Sequence, residues 1–316
     1  VNNDLGDAVG KIYVAKYFPP SSKTEVQGIV QNLLLAFDHR IDGLSWMAPA
    51  TKTEAKAKLK TLRVGVGYPE AWRDYAGLAI QPNDPLGNAE RAEEWEYHHQ
   101  VAKLSHPVDR GEWWITPQTV DALNMPLQNA LNFPAAVLEA PFFDPEADAA
   151  ANYGSIGAVI GHEISHSFDN LGAEINSTGK LENWWTPEDH AHFQAAGKRL
   201  VEEFSAYEPL PGLHINGEQT LGENIADVAG LAVAFDAYQL ALGGKPLPVV
   251  DGLTGYQRFF PAFAQGWRQN ARDAAPRQQI VTQDHPTSRV PPHTPRTPDP
   301  WSPSSPVTHG DTLHPP

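Results

Sequence analysis

The 316-residue chain contains no cysteine. That excludes disulfides, thiolate metal ligands and a cysteine nucleophile, and it leaves any metal to His, Asp or Glu. Positive charge is scarce: 23 Lys and Arg stand against 38 Asp and Glu, for a formal charge of −15. The basic residues are scattered, so neither nucleic acid nor an anionic membrane surface is an expected partner. No run of about 18 uninterrupted apolar residues occurs, the length a membrane span needs. The opening residues, VNNDLGDAVGKIYVAKYFPP, hold neither the basic nor the apolar stretch of an export signal. What is present is enough for a sizeable core, since 41% of residues are hydrophobic and nine are tryptophan. The length suits one large domain or two smaller ones, and the chain reads as a soluble globular protein.

Helical patterns dominate. One runs from Leu5 to Tyr17 and stops at Pro19-Pro20. Ser22 and Glu25 have the spacing of a capping box, and Val26, Ile29, Val30, Leu33 and Phe37 follow at helical spacing. A helix is expected to start after Pro49 and run to about Lys60, with a short strand over Leu62–Val66 and a charged amphipathic helix from Ala89 to Leu104 after a turn-rich loop at 81–88. Trp113–Val120, rich in aromatic and β-branched residues, reads as an edge strand because Pro117 cannot donate to a ladder. Residues 133–145, FPAAVLEAPFFDP, read as a buried extended segment. Three long helices follow, roughly 152–170, 187–207 and 221–242. After Val290 proline dominates and apolar periodicity is lost, which predicts a disordered tail over 291–316.

Residues 161–172 read GHEISHSFDNLG. On a helix, positions i and i+4 share a face, so His162 and His166 can offer imidazole nitrogens to one ion while Glu163 projects towards a metal-bound water, whose proton it can accept and hand to a leaving amine. This five-residue pattern also arises by accident on amphipathic helices, so a third ligand is needed. Glu223, in LGENIADVAG, supplies it, on a helix whose Leu221, Ile225, Val228 and Leu231 suggest burial. Asp227 follows one turn later, where it can accept from a ring N–H of a ligating histidine; the alternative is a carboxylate pair near the helix N-terminus on a solvent face. Asp169 is a further candidate acceptor beside His166. His98, His99, His190, His192 and His214 lack a spacing or a scaffold that would fix a coordination sphere.

At this point the sequence resembles the neprilysin and endothelin-converting-enzyme family of zinc metallopeptidases, bacterial type. Besides GHEISHSFD and GENIAD, the likeness is carried by PATKTEAKAKL, LGNAERAEEWE, PVDRGEWWITPQTV, FPAAVLEAPFFDP, NYGSIGAVIG, LENWWTPED and YEPLPGLHINGEQTLGEN. It extends over about residues 5–290. The resemblance implies a mainly α (α+β) fold with a thermolysin-like, gluzincin catalytic domain: a small sheet with an edge strand, the helix bearing HExxH and a second helix bearing a ligand. It implies one zinc ion per chain held by His162, His166 and Glu223, with Glu163 as general base and Asp227 orienting a histidine. It further implies an endopeptidase that cuts short peptides on the amino side of hydrophobic residues, an extracytoplasmic location and a monomer. Where the family has Asn-Ala-aromatic-aromatic-Asn-Pro on the edge strand that pairs with substrate, this chain reads Asp121-Ala122-Leu123-Asn124-Met125-Pro126, so Asp121 and Ala122 are the expected substrate-aligning residues. His285 stands where the family has its oxyanion donor, and Arg289 where it has an arginine that grips substrate, at a shorter spacing. The expected organisation is a helical segment over 1–110 leading from a roofing domain, a catalytic domain over 111–290 and the proline-rich tail. The competing readings are a truncated, catalytically impaired remnant that binds zinc and peptides, and a helical scaffold with an accidental HExxH.

Overall fold

The computed structural model of the chain describes residues 2–272 and 274–287. It begins with three helices, α1 (Asn2–Tyr17), α2 (Pro20–Gly43) and α3 (Pro49–Thr61). Each of the latter two opens on a proline at its first position, where the missing N–H costs nothing. Pro20 therefore starts α2 before Ser22 and Glu25 can form a capping box: Ser22 lies inside the helix, buried, and no side chain caps the end. Strand β1 (Arg63–Gly67) follows, then helix α4 (Pro85–Lys103), which starts four residues ahead of the expected Ala89 because Asp84 caps it by accepting from the Gly87 N–H.

Trp113–Val120 is not a strand. Thr116 accepts the Thr119 N–H at 3.0 Å and closes a turn around Pro117, and α1 packs so closely on this turn that a side chain at Gly6 would meet Thr116. The edge strand lies a few residues on, as β2 (Leu123–Met125), antiparallel to β3 (Ala130–Pro134), with Leu123 opposite Asn132 and Met125 opposite Ala130. β1 pairs in parallel with the other side of β3, giving the order β1-β3-β2. Every residue of β3 is buried, as a central strand requires. The segment expected to be buried and extended over 133–145 is buried only over 133–138 and at Phe143, with Ala140, Pro141, Asp144 and Pro145 exposed, and beyond Pro134 it folds into turns.

The helical run expected over 152–170 begins as α5 (Ala149–Asn152), capped by Asp148, passes through a π turn at Tyr153–Gly157 and ends as α6 (Ala158–Ser165). Then come α7 (Pro187–Ser205), α8 (Leu221–Leu242), a two-strand ribbon of β4 (Val249–Val250) and β5 (Leu253–Thr254), α9 (Gly255–Gly266) and α10 (Ala274–Thr282). Among the described residues 54% are helical and 7% lie in strands, so the fold is mainly α. One apolar core runs from Phe18 to Ile280 and crosses residue 110 without a break.

α8 is central to that core. It is long and apolar enough by composition to cross a bilayer, but Ile225, Val233, Ala234 and Tyr238 are buried in protein and Arg40 of α2 holds it through Asp236 at 2.5 Å. Its crossing with α6 is made backbone to backbone. A side chain at Gly161 would come within 2.5 Å of the Gly230 carbonyl, and one at Gly230 would overlap the His162 main chain. Two glycines thus let the two helices approach closely enough for side chains to converge on one point.

Candidate metal centre and active site

α6 and α8 place His162, His166 and Glu223 together. The Nε2 atoms of the two rings lie 2.9 Å apart, and Glu223 Oε2 lies 3.2 Å from the first and 3.5 Å from the second. Each ring is fixed from behind: His162 Nδ1 donates to Asp227 Oδ1 at 2.8 Å and His166 Nδ1 to Asp169 Oδ2 at 2.7 Å. With both Nδ1 protons so placed, the neutral rings point bare Nε2 lone pairs at each other and at a carboxylate oxygen. Such an arrangement is repulsive unless positive charge fills it. Tetrahedral zinc with bonds of about 2.0–2.1 Å separates its ligand atoms by about 3.3 Å, so this donor set fits a divalent cation of that kind. Glu223 Oε2 supports the same fit, being buried without a hydrogen bond of normal geometry.

Without a metal, protons supply the charge. Burial pushes the His162 ring down, but its hydrogen bond to Asp227 and the adjacent Glu223 carboxylate outweigh it and raise its pKa well above the usual value. His166 is likewise disfavoured by burial and yet raised to about 9 by Asp169 and Glu223. Burial raises Glu223, and the two rings more than reverse this, leaving it far below the ordinary carboxylate range.

Glu163, one residue on from His162, lines the same cleft. Burial raises its pKa, the two rings oppose this, and the Glu223 and Asp121 carboxylates add to it. The cleft encloses about 700 Å³. Asp121, Ala122 and Leu123 form one wall, His285 stands over the metal cluster, and Phe142, Phe263 and Trp267 make an apolar end. His285 follows α10. Its ring lies 6.0 Å from that of His162, nearly parallel, and its Nδ1 is 3.1 Å from Glu223 Oε2. Of the residues singled out in the sequence, the structure brings His162, Glu163, His166, Asp169, Glu223, Asp227, His285, Asp121 and Ala122 to one cleft; Arg289 lies outside the described residues, as does the proline-rich tail. His98, His99, His190, His192 and His214 stand away from it: His99 stacks on Trp95 and His192 on Trp46.

Two residues that sequence reasoning missed support the cluster. Lys58, 2% exposed, reaches from α3 to the carbonyls of Ser167, Gly172 and Ile175 at 2.5–2.7 Å. The loop it holds carries Asp169, whose Oδ1 accepts the N–H groups of Leu171 and Gly172. Burial lowers the Lys58 pKa to about 8, so it remains an ammonium at neutral pH with each of its three protons on a carbonyl. Asn124 of β2 reaches the main chain of α6. Neither carries a spacing signal, since Lys58 sits among other lysines in KTEAKAKLK and Asn124 among turn formers.

The sequence profile of peptidase family M13 matches residues 121–296, and the amino-terminal profile of the same family matches residues 1–69. The chain is 37% identical over 286 residues to a neutral endopeptidase of Lactobacillus helveticus, covering 90% of this chain and 42% of that protein. It is 36% identical over 291 residues to neprilysin-11 of Caenorhabditis elegans, covering 88% and 34%. In three dimensions it superposes on the zinc metalloprotease ZMP1 of Mycobacterium tuberculosis, solved in complex with an inhibitor, with a TM-score of 0.85 and 47% identity over 92% of this chain and 44% of that one. PepO of Lactobacillus rhamnosis gives a TM-score of 0.82 at 33% identity, covering 91% and 44%. The chain thus spans less than half the length of these relatives.

Proposed function

The chain belongs to peptidase family M13, and from that premise we propose that it carries the zinc site of an endopeptidase that hydrolyses short peptides on the amino side of hydrophobic residues. The observation that carries this reading is the convergence of two imidazole Nε2 atoms and Glu223 Oε2 within 2.9–3.5 Å, beside Glu163 in one cleft. His162, His166 and Glu223 would hold one zinc ion. Bound there, the ion supplies Lewis acidity towards the attacking water and the scissile carbonyl. Asp227 and Asp169 fix the tautomer and direction of the two rings. Glu163 accepts the proton of the attacking water and delivers it to the amine that leaves; its burial raises its basicity for that exchange. His285 donates to the carbonyl oxygen as it becomes an oxyanion. A peptide lying along β2 can pair through its main chain, past Asp121 and Ala122, with an apolar side chain towards Phe142, Phe263 and Trp267.

Metal analysis of the purified chain and cleavage of fluorogenic peptides test the reading. One zinc per chain and cleavage that falls by roughly 10³-fold or more in Glu163→Gln are expected. A chain that binds no stoichiometric zinc at neutral pH would refute it; full zinc with no cleavage would assign the chain as a binding remnant.

A further inference from the structure

We propose that Asn124 is a positioning residue for Glu163, acting from the edge strand through the main chain of the general base itself. The proposal rests on the peptidase reading given above. α6 ends two residues after the base: the Ser167 N–H, which would continue the helix by donating to the Glu163 carbonyl, turns instead to Ile164 O at 3.1 Å, while His166 N–H stays on His162 O. The Glu163 carbonyl is thereby one of the orphan acceptors a helix end leaves behind. The Asn124 side chain takes it, donating from Nδ2 to Glu163 O at 2.5 Å and to Ser167 Oγ at 3.0 Å.

The other end of the same amide has no compensation. Asn124 Oδ1 is buried and without a hydrogen-bond partner. A buried orphan acceptor is unfavourable, so the amide sits there for what its NH₂ group does and not as a balanced packing element. β2, which forms the cleft wall, is in this way tied to the residue that must move the proton, so the substrate-aligning strand and the base keep one distance. Loss of the tie leaves Glu163 attached to a frayed helix end while His162, anchored by Asp227 and by the close crossing of α6 and α8, stays where it is.

The variants are Asn124→Leu, which keeps the bulk and removes both the donor and the orphan acceptor, and Asn124→Asp, which keeps the shape and sets a carboxylate against the carbonyl. Full-length chains are compared for kcat, KM, bound zinc and melting temperature. The expected result is a kcat lower by roughly 10- to 100-fold in both, the Asp variant lower still, with KM within about threefold, zinc still stoichiometric, and no fall in the melting temperature of Asn124→Leu. A structural role alone would lower the melting temperature and zinc content along with the rate, and that pattern overturns the proposal, as do unchanged kcat values or a loss confined to KM. Selective ¹³C labelling of the Glu163 carbonyl gives a second readout that needs no turnover. Its resonance should move upfield in Asn124→Leu, and a resonance that does not move overturns the hydrogen bond even if the wild-type chain cuts nothing, a result that would separately defeat the peptidase reading.

Discussion

A histidine that donates from Nδ1 to a carboxylate has its Nε2 lone pair both aimed and made more basic. His162 and His166 each have such a partner, Asp227 from α8 and Asp169 from the loop after α6. Removing one leaves a ring that can rotate and change tautomer. Asp227→Ala is therefore expected to weaken zinc binding by roughly 10- to 100-fold, read by competition with a chelator; an unchanged affinity would show that the crossing of α6 and α8 alone fixes His162. His285 differs in kind. It stands beside the cluster, half exposed, with its ring against Glu223 and the face of His162. Its loss should lower kcat by roughly 10²- to 10³-fold with zinc retained, and a His285→Ala chain that loses zinc instead would make it a ligand. The proposed metal ligands could be picked out in the sequence because helical spacing carries their geometry: i and i+4 for the two histidines, and again for Glu223 and Asp227. Asn124 could not, because its importance lies in a carbonyl that only the early end of α6 exposes.

Among the elements, the helices were readable from apolar spacing, their exact starts were set by local prolines and caps, and the misread strand fell where a tertiary contact overrode local preference. Trp113–Val120 has the composition of a strand, yet α1 packs on its Thr116–Thr119 turn and β2 takes the edge of the sheet. α3 holds the clearest case of a hidden role. Its sequence, PATKTEAKAKLKT, has the look of a solvated helix, and one of its lysines is in fact the buried anchor of the loop from Ser167 to Ile175. Nothing in the spacing separates Lys58 from its neighbours; only the three carbonyls that converge on it do so. Lys58→Met would keep the stem and leave those three carbonyls buried without donors, at about 1–3 kcal/mol each for a buried group left unpaired. The expected consequence is a loss of about 3 kcal/mol or more, seen as a melting temperature lower by about 6–12 °C, with zinc affinity falling because Asp169 moves with the loop. A variant that melts within about 2 °C of wild type would mean that water replaces the ammonium.

For the molecule as a whole, the metal cluster makes stability depend on pH in a way whose sign can be worked out. In the metal-free chain the rings of His162 and His166 have folded pKa values above the ordinary 6.5, that of His166 at about 9. Between those pH values the folded chain holds protons that the unfolded chain has released. The stability they contribute is therefore complete below about pH 6.5 and is lost as pH rises towards 9, with a slope of about 1.4 kcal/mol per pH unit for each proton. Lys58 acts in the opposite sense, since its folded pKa of about 8 lies below its unfolded 10.5, but only above about pH 8, so the window from 6.5 to 8 isolates the histidines. Zinc must displace the same ring protons in order to bind. Its binding should therefore release protons at pH 7, and the rise in melting temperature it confers should grow from pH 6.5 to 8 while the metal-free melting temperature falls. Calorimetry in buffers of different ionisation enthalpy measures the proton release, and melting curves with and without zinc measure the rest. A metal-free chain that gains stability across this window, or a zinc effect that is flat in pH, would mean that the two rings are neutral in the empty cluster and that its facing lone pairs are separated by movement of α6 against α8 and not bridged by protons.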